Sequence, residues 1–275
     1  MSRLDKFKRK LSILNYWKNY HRKLGISMYD FHYLNKGSTP TNSEINVKFR
    51  GRKVYFSAPF WFLHSLQEIF VEDIYKFEPS NAELNILDCG ANVGMSIIYL
   101  KELFPNSKIK AFEPDPFVFR QLQKNINEFQ LKNVELINRA IWTEQKTLTF
   151  QSDGSLGGKI TDEKQGNKNI INVQAVRLKD FIKEKIYFLK MDIEGAEYEV
   201  IKDIKEDLHL IENLFIEYHS NAEEQHHLIE MLSWINDAGF RFYIKEAWNN
   251  MPNPFTQKNK GGYQLQLNIF CYRGK

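Results

Sequence analysis

The stretch Asp88-Cys89-Gly90-Ala91-Asn92-Val93-Gly94 decides how the rest of the chain is interpreted. It directly follows the apolar run 84–87 and opens a helical pattern, so it predicts a strand, a tight turn and the start of a helix. In open parallel sheets a ligand binds at such a turn, because glycine lets the backbone approach closely and the helix start presents free N–H groups. The stretch therefore predicts a binding site for an adenosine-type ligand.

The spacing of the glycines narrows the choice of ligand. Gly90 and Gly94 form a Gly-x-x-x-Gly pattern, whereas a turn that wraps the diphosphate of a dinucleotide has Gly-x-Gly-x-x-Gly. Asp88, beside the turn, would repel a diphosphate and attract an ammonium group. S-adenosylmethionine is an adenosine ligand with an ammonium group and no phosphate, and we expect it as the cofactor.

The bulk composition bounds the class of protein. The chain has 275 residues, of which 43% are hydrophobic, enough for one large domain or a domain with an arm. Its longest apolar runs are too short to span a bilayer. Two cysteines, Cys89 and Cys271, make no disulfide framework, and no secretory signal is apparent, so we expect a cytoplasmic protein.

The positive charge is concentrated at the N-terminus. Residues 1–24 hold eight Lys/Arg and one acid, whereas the remainder holds 30 basic and 33 acidic residues. This distribution argues against a nucleic-acid-binding body, and no nucleic acid partner is expected. Residues 3–24 predict an amphipathic helix. It either packs on the body, docks on an anionic membrane surface or an acidic partner, or contacts RNA.

From residue 84 onward, strands alternate with helices. We predict strands at 84–88, 108–112, 133–137, 186–191, 213–219, 240–245 and 263–272. Helices are predicted at 93–104, 115–130 and 221–238, the last with a capping box of Ser220 and Glu223. This order predicts an α/β fold with a mostly parallel, seven-stranded Rossmann-like sheet and helices on both faces.

Two regions stand outside this alternation. Residues 1–80 form an N-terminal extension with a hairpin at 44–57 and a helical segment at 59–70, and residues 81–275 form the main domain. Residues 148–150 and 170–176 predict extra strands. The polar stretch 151–169 between them predicts a surface loop.

Acidic side chains follow three of the predicted strands. Glu113 ends the second strand, where an acid can accept hydrogen bonds from both ribose hydroxyls. Asp192 follows the strand 186–191 and is expected near the middle of the site. Glu217 and His219 alternate onto one face of the next strand, and His219 has a pKa range suited to taking a hydroxyl proton. Taken alone, Glu113 could be an ordinary acid before a helix and His219 a surface histidine at a strand end, whereas Asp192 is less easily explained in this way.

Four stretches together resemble the FkbM-type methyltransferases, over about residues 84–245. They are Asp88-x-Gly90-Ala91-Asn92-x-Gly94, Phe112-Glu113-Pro114, Asn138-Arg139-Ala140-Ile141 and Lys190-Met191-Asp192-Ile193-Glu194-Gly195-x-Glu197. The resemblance implies a class I, S-adenosylmethionine-dependent methyltransferase that acts on a hydroxyl of a sugar or natural product. It implies that Gly90 and its neighbours hold the methionine part and Glu113 and Pro114 lie at the ribose. Asn138, Arg139 and Ala140 would lie beside the adenine, and Asp192 would face the sulfonium.

Proton removal from a hydroxyl acceptor needs a base. His219 is our first choice and Asp192 the second, while Glu217 would orient His219 or bind the substrate. Asp192, Glu217 and His219 could also bind Mg²⁺ or a similar ion, an alternative that we do not favour.

Two other functions stay open at this point. One is a nicotinamide-dependent oxidoreductase or epimerase, against which the missing Gly-x-Gly-x-x-Gly counts. The other is a non-catalytic RNA- or ligand-binding module. For a methyltransferase we expect a sugar, glycolipid or polysaccharide precursor as acceptor, near Trp248-Asn249-Asn250, with the basic segment holding the enzyme at the inner face of a membrane.

Overall fold

The computed structural model describes residues 20–36, 43–78, 84–151, 159–160, 170–221, 224–256 and 263–274. Residues 20–24 are helical, but most of the basic segment 1–24 lies outside the described residues. The same holds for most of the 151–169 loop. The expected membrane or partner contact of the basic segment therefore stays a prediction.

Beyond the helical residues 20–24, the described part of the N-terminal extension contains two further helices and the predicted hairpin. Its elements are α1 (Met28–Asn35), β1 (Ile45–Phe49), β2 (Arg52–Phe56), α2 (Pro59–Leu66) and a π-helical turn, Gln67–Val71. The hairpin strands pair antiparallel around Arg50 and Gly51. Both turn residues have positive φ angles, 49° and 84°, which suits a tight connection between twisted strands.

A seven-stranded sheet forms the centre of the molecule, beside a smaller four-stranded one. The remaining strands are β3 (Asn85–Cys89), β4 (Lys108–Phe112), β5 (Val134–Ile137), β6 (Ala140–Trp142), β7 (Thr147–Gln151), β8 (Lys159–Ile160), β9 (Ile170–Arg177), β10 (Ile186–Met191), β11 (Ile211–Ser220), β12 (Phe240–Trp248) and β13 (Leu265–Arg273). The large sheet has the order β12-β13-β11-β10-β3-β4-β5, and the small one β6-β9-β7-β8.

The large sheet confirms the predicted fold class. Strands β3, β4, β5, β10 and β11 pair parallel, while β13 runs antiparallel between β11 and β12. From β3 the chain adds β4 and β5 on one side of the sheet and later adds β10 and β11 on the other side. The strand order therefore reverses between β3 and β10. The carboxyl ends of β3, β4, β10 and β11 therefore meet at one edge, where ligands of such sheets bind.

Helices cover both faces of the large sheet. They are α3 (Met95–Leu103), α4 (Pro116–Glu128), α5 (Glu197–Ile204) and α6 (Gln225–Asp237). One buried cluster joins α3, α4 and the N-terminal extension to the sheet, and a second joins α5 and α6 to its other face. Buried residues on both sides of position 80 thus share one core, and the domain boundary there stays a prediction.

Some predicted details of the helices were wrong. Helix α3 begins at Met95 because Gly94, with φ = 88°, stands before it in a left-handed conformation. Helix α6 begins only at Gln225. Glu223 of the predicted capping box lies outside the described residues, and the Ser220 hydroxyl donates to the carbonyl of Asn221 instead of capping the helix.

Candidate active site

The turn after β3 is held by contacts with two other strand ends. The amides of Gly90 and Ala91 donate to the carbonyl of Phe112, at 3.0 and 2.8 Å, which ties the turn to β4. Gly90 has φ = +82°, and a Cβ atom there would lie 1.8 Å from the carbonyl oxygen of Asp192, just beyond β10. Only glycine fits this position, so the close meeting of three strand ends depends on it.

Glu113 joins the turn after β3 to the turn after β4. One carboxylate oxygen accepts the amide of Asn92 at 3.0 Å, and the other accepts the amide of Asp115 at 2.9 Å. Burial raises the pKa of Glu113 to about 8, while the two amides and the charge of Lys190 oppose the rise. The carboxyl group is therefore held in a fixed orientation at the end of β4, as the sequence predicted.

The segment after β5 fixes the loop that follows Glu113. The Asn138 side chain donates to the carbonyls of Glu113 and Pro114 at 2.8 and 3.1 Å. Asn138 thus holds this loop in place, whereas Arg139 and Ala140 border the open space beside it.

These elements enclose a cleft, called here the Glu113 cleft, with about 610 Å³ of free space including its open mouth. Its walls are apolar at one end and acidic at the other. It is lined by Gly90, Asn92, Phe112, Glu113, Pro114, Asp115, Arg139, Ala140, Ile141, Phe150, Asp192, Ile193 and Glu194. This mixture of apolar and acidic side chains suits a small organic ligand with an apolar ring and a polar remainder.

Asp88 does not line the Glu113 cleft, which corrects the expectation that its carboxylate meets a ligand ammonium group. Its side chain is buried, accepts a hydrogen bond from the Ser96 hydroxyl and lies 3.5 Å from the ammonium nitrogen of Lys190. The register between β3 and β10 pairs Lys190 directly with Asp88. Ala91 and Gly94 also lie away from this cleft, and Gly94 instead faces Leu122 of α4.

Lys190 is a buried residue whose role the sequence did not reveal. Its ammonium group donates to the carbonyl of Gly90 at 2.8 Å and lies 3.3 Å from the carboxylate of Asp192. Burial disfavours the charge, but Asp192 and Asp88 hold the pKa of Lys190 well above its ordinary value. Lys190 therefore fixes the glycine turn and Asp192 relative to each other.

A smaller pocket adjoins the Glu113 cleft. The two share Gly90, Asn92 and Asp192, and the second also has Lys190 in its wall. The N-terminal extension closes this pocket with Ser65, Ile69 and Tyr75. These three residues could not be predicted from local sequence patterns, because they are joined to the site only by tertiary packing.

Carboxylates lie close to His219 at the carboxyl ends of β10 and β11. We call Asp192, Glu194, Glu217 and His219 the acidic cluster. Nε2 of His219 lies 3.7 Å from a carboxylate oxygen of Glu194 and 3.7 Å from one of Glu217. Partial burial, followed by the charge of Asp192, raises the pKa of Glu217 well above its usual range. The cluster brings together the three residues predicted to be catalytic and adds Glu194.

The surroundings of His219 do not suit the general base that we expected. Its ring is 1% exposed, and Nδ1 lies 3.2 Å from a carboxylate oxygen of Glu197. Burial lowers the pKa of His219, but the charges of Glu197, Glu194 and Glu217 outweigh burial and raise it to about 10. While no cation is bound, the ring therefore holds its proton and cannot accept another, so we change the role of His219 from proton acceptor to positioning residue.

Glu197, at the start of α5, has a structural role beyond compensating the helix dipole. Its side chain is fully buried, and its oxygens accept the amides of Ile193 and Gly195 as well as facing His219. The turn after β10 and the ring of His219 are therefore fixed by one carboxylate. Such a central role follows from tertiary contacts and was not visible in the spacing of the acids.

Aromatic side chains lie beyond the acidic cluster, at the end of β12. Phe60, Trp61 and His64 of α2 surround Trp248, with ring centroids 5.4 to 6.2 Å from it. We call these four residues the aromatic platform. Phe60 and Trp248 are 47% and 38% exposed, so they offer apolar surface to a ligand. Asn250, which the sequence placed near an acceptor, donates to Gln266 at 2.6 Å.

Comparison with known proteins decides the family. The family model of the methyltransferase FkbM domain matches residues 88–242. This chain belongs to the FkbM methyltransferase family. The match runs from the turn after β3 to β12 and includes Glu113, Asp192 and His219. It confirms the resemblance that the four sequence stretches indicated. It favours a methyltransferase over the nicotinamide-dependent enzyme and the non-catalytic binding module.

Curated relatives of this FkbM-family chain are methyltransferases. Methyltransferase 1 of Beauveria bassiana (strain ARSEF 2860) is 29% identical over 182 residues, which cover 57% of this chain and 72% of the relative. Methyltransferase sdnD of Sordaria araneosa is 29% identical over 188 residues, covering 55% and 72%. Both alignments agree with the methyltransferase class.

A solved structure of a methyltransferase FkbM from Methylobacillus flagellatus KT is also similar, with a TM-score of 0.48 and 14% identity. The alignment covers 71% of this FkbM-family chain but only 45% of that one. The chain thus spans less than half of that protein.

Among the helices of the described residues, none has the length and apolar character needed to cross a bilayer.

Proposed function

We propose that this protein is an S-adenosylmethionine-dependent O-methyltransferase whose acceptor is a hydroxyl group of a sugar, a glycolipid or a polysaccharide precursor. The position of Glu113 carries the proposal. Its buried carboxylate ends β4 and borders a cleft beside a turn that admits only glycine at position 90. Family membership supports methyl transfer, and the chemistry of the cleft supports the identity of the donor.

The residues of the Glu113 cleft fit an adenosine ligand. Each oxygen of Glu113 accepts one backbone amide, and since a carboxylate oxygen has two lone pairs, both keep capacity for ribose hydroxyls. Phe150 and Ile141 offer apolar surface for an adenine ring beside Ala140. When bound, S-adenosylmethionine supplies a methyl group on a cationic sulfur.

The opposite end of the cleft suits the methionine part of the donor. Gly90 presents backbone without a side chain, and Asp192 borders both the cleft and the smaller pocket. A carboxylate here favours the positive charge of a sulfonium or an ammonium group. Lys190 holds Asp192 in this position through its contact at 3.3 Å.

The acceptor would bind between the acidic cluster and the aromatic platform. Gln266 pairs in register with His219 on one side and with Trp248 on the other. Since adjacent strands lie about 4.8 Å apart, the cluster and the platform are separated by roughly 10 Å. This distance suits one or two sugar rings, whose apolar C–H faces pack on aromatic side chains while their hydroxyls meet polar groups.

We assign the removal of the hydroxyl proton to the carboxylate of Glu217. Its side chain is 25% exposed, whereas His219 beside it is 1% exposed, so an acceptor can reach Glu217 more readily. His219, at 3.7 Å, orients this carboxylate. Alignment of the acceptor oxygen with the methyl group supplies much of the remaining rate enhancement.

Calorimetric titration of the full chain tests the donor assignment. S-adenosylmethionine and S-adenosylhomocysteine are expected to bind at one site, with no comparable binding of NAD. Uptake of a labelled methyl group by a panel of activated sugars and lipid-linked oligosaccharides tests the acceptor class. Tight NAD binding with no response to S-adenosylmethionine would contradict the donor, and methylation confined to acceptors without a sugar would contradict the acceptor class.

A further inference from the structure

One buried nitrogen in the acidic cluster has no hydrogen-bond partner within the described part of the chain. It is Nε2 of His219, which faces carboxylate oxygens of Glu194 and Glu217, each 3.7 Å away. Native proteins rarely leave a buried polar atom without a partner, because desolvation is then uncompensated. We propose that His219, Asp192 and Glu194 bind a divalent metal ion of the Mn²⁺ type.

The three side chains are close enough to share one ion. One ligand atom from each lies within 4.8 Å of the others. Ligands of an ion with bonds of about 2.1 Å lie about 3.0 Å apart at right angles and about 4.2 Å apart when opposite, so shifts of about one ångström in each side chain would close the site. Glu194 belongs to a turn and has φ = 55°, so its carboxylate can move without displacing a strand.

The residues behind His219 have the arrangement that metal-binding histidines require. A histidine that binds a metal through one nitrogen almost always donates its other N–H to a carboxylate or a carbonyl, which fixes the tautomer. Here Nδ1 lies 3.2 Å from Glu197, which is itself held by the amides of Ile193 and Gly195. The ring of Tyr263 packs against that of His219, with centroids 4.9 Å apart. Nε2 therefore points into the acidic cluster from a fixed ring.

The charges around the site also favour a cation. Asp192, Glu194 and Glu217 all lie near His219, and the ammonium group of Lys190 already contacts the Gly90 carbonyl, Asp88 and Asp192. Carboxylates suit Mg²⁺ and Mn²⁺, whereas an imidazole ligand suits transition metals. Mn²⁺ satisfies both preferences, and for this reason we name it as the probe.

The use of the ion in catalysis, unlike its binding, rests on the proposed function. The ion would orient the acceptor hydroxyl beside Glu217. In the reaction, the hydroxyl proton passes to Glu217 and the oxygen forms a bond to the methyl carbon. In the same step the carbon–sulfur bond breaks, and its electron pair stays on sulfur. The ion is neither oxidised nor reduced.

Titration of the EDTA-treated full chain with Mn²⁺, followed through the electron paramagnetic resonance signal of the free ion, tests the site. We expect the wild type to bind one Mn²⁺ per chain. Asp192→Asn and Glu194→Gln are each expected to weaken binding at least tenfold, because each removes a charged ligand. The control Glu199→Gln changes the charge equally at an exposed position of α5 and should bind Mn²⁺ like the wild type.

Absence of saturable Mn²⁺ binding in the wild type would overturn the proposal, as would equal affinities in all four proteins. Thermal unfolding checks that the variants are folded: Mn²⁺ should raise the melting temperature of the wild type and Glu199→Gln, and not that of Asp192→Asn. S-adenosylhomocysteine titrated in the presence of EDTA reports on the donor cleft separately. A failure of metal binding and a failure of donor binding are therefore distinguishable.

Discussion

The Glu113 cleft and the acidic cluster lie side by side at one edge of the sheet, yet their polar groups are satisfied in different ways. In the cleft, both oxygens of Glu113 accept backbone amides, from Asn92 and Asp115. In the acidic cluster, carboxylates converge on His219, whose Nε2 has no hydrogen-bond partner among the described residues. Glu113 is thus held by the fold itself, whereas the acidic cluster carries an excess of negative charge.

This difference indicates what each region is built to bind. A pre-formed cleft with a fixed carboxylate suits an organic ligand that adds a few hydrogen bonds to an existing frame. A cluster of like charges around an unsatisfied nitrogen suits a cation, which relieves repulsion as it binds. We thus assign donor binding and removal of the acceptor proton to neighbouring strand ends. Variants of the Glu113 cleft and of the acidic cluster should each affect one of these functions and not the other.

The largest expected effect comes from Gly90→Ala, which breaks the frame of the cleft. The added Cβ would lie 1.8 Å from the carbonyl oxygen of Asp192, so the two strand ends must separate. We expect a loss of more than about 4 kcal/mol in the free energy of unfolding by urea, together with loss of S-adenosylhomocysteine binding.

Gly51→Ala is the matched control for this substitution. Gly51 has nearly the same backbone conformation, φ = +84°, but no described atom lies within 4 Å of its would-be Cβ. Only the conformational cost remains, about 1–2 kcal/mol. Similar losses in the two variants would show that backbone strain, and not the contact with Asp192, accounts for the effect.

Glu217→Gln addresses the acidic cluster. The amide cannot accept the acceptor proton, so kcat should fall by about 100-fold or more, while the Kd for S-adenosylhomocysteine stays within twofold. Stopped assays of methyl uptake with the best sugar of the panel measure kcat, and Glu212→Gln, at the opposite end of β11, serves as the control. An unchanged kcat would remove Glu217 from proton transfer.

Glu113→Gln addresses the cleft in the complementary way. Loss of charge-assisted hydrogen bonds to the ribose should weaken S-adenosylhomocysteine binding by about 10- to 100-fold in calorimetry above pH 8, where Glu113 is ionised. Glu135→Gln removes an exposed acid on β5 and should leave the affinity unchanged. If both variants bound like the wild type, Glu113 would not contact the ligand.

Trp248→Ala removes the centre of the aromatic platform. We expect the KM for the sugar acceptor to rise by about 5- to 10-fold through lost apolar contact, with unchanged donor affinity. Tyr243→Ala, an exposed position earlier on β12, controls for truncation of an aromatic residue on this strand. Equal KM values in the wild type and both variants would place the acceptor elsewhere.

The smallest effect concerns pH and stability. Because burial raises the pKa of Glu113 to about 8 in the folded state, the folded protein keeps a proton that the unfolded chain releases near pH 4.3. The contribution of Glu113 to stability is therefore present at low pH and declines as pH rises from about 4.5 to 8. Over this pH range, the melting temperature of Glu113→Gln should rise relative to that of the wild type. Parallel pH profiles of the two proteins would contradict the raised pKa.

The fold was largely predictable because the buried strands are continuous apolar runs. The strand 186–191 was predicted with its observed bounds, and all six of its residues are buried. The turn after β3 and the acid ending β4 were likewise visible, since each directly follows such a run. These are local features, and the sequence contains them in full.

The parts of the site that were mispredicted depend on contacts between distant segments. Asp88 was expected to meet a ligand because nothing in its own stretch reveals Lys190, which the register of β10 brings opposite it. His219 was expected to be a base because its own stretch does not reveal Glu194 and Glu197, which approach it from another strand end. The aromatic platform combines α2 with β12, a pairing that periodicity does not encode.

A crystal structure of the protein with S-adenosylhomocysteine tests the central claim most directly. The account predicts the ligand in the Glu113 cleft, with its ribose hydroxyls hydrogen-bonded to Glu113 and its sulfur on the side of Asp192. Density for the ligand at another place on the molecule, or in the cleft with the ribose turned away from Glu113, would contradict it.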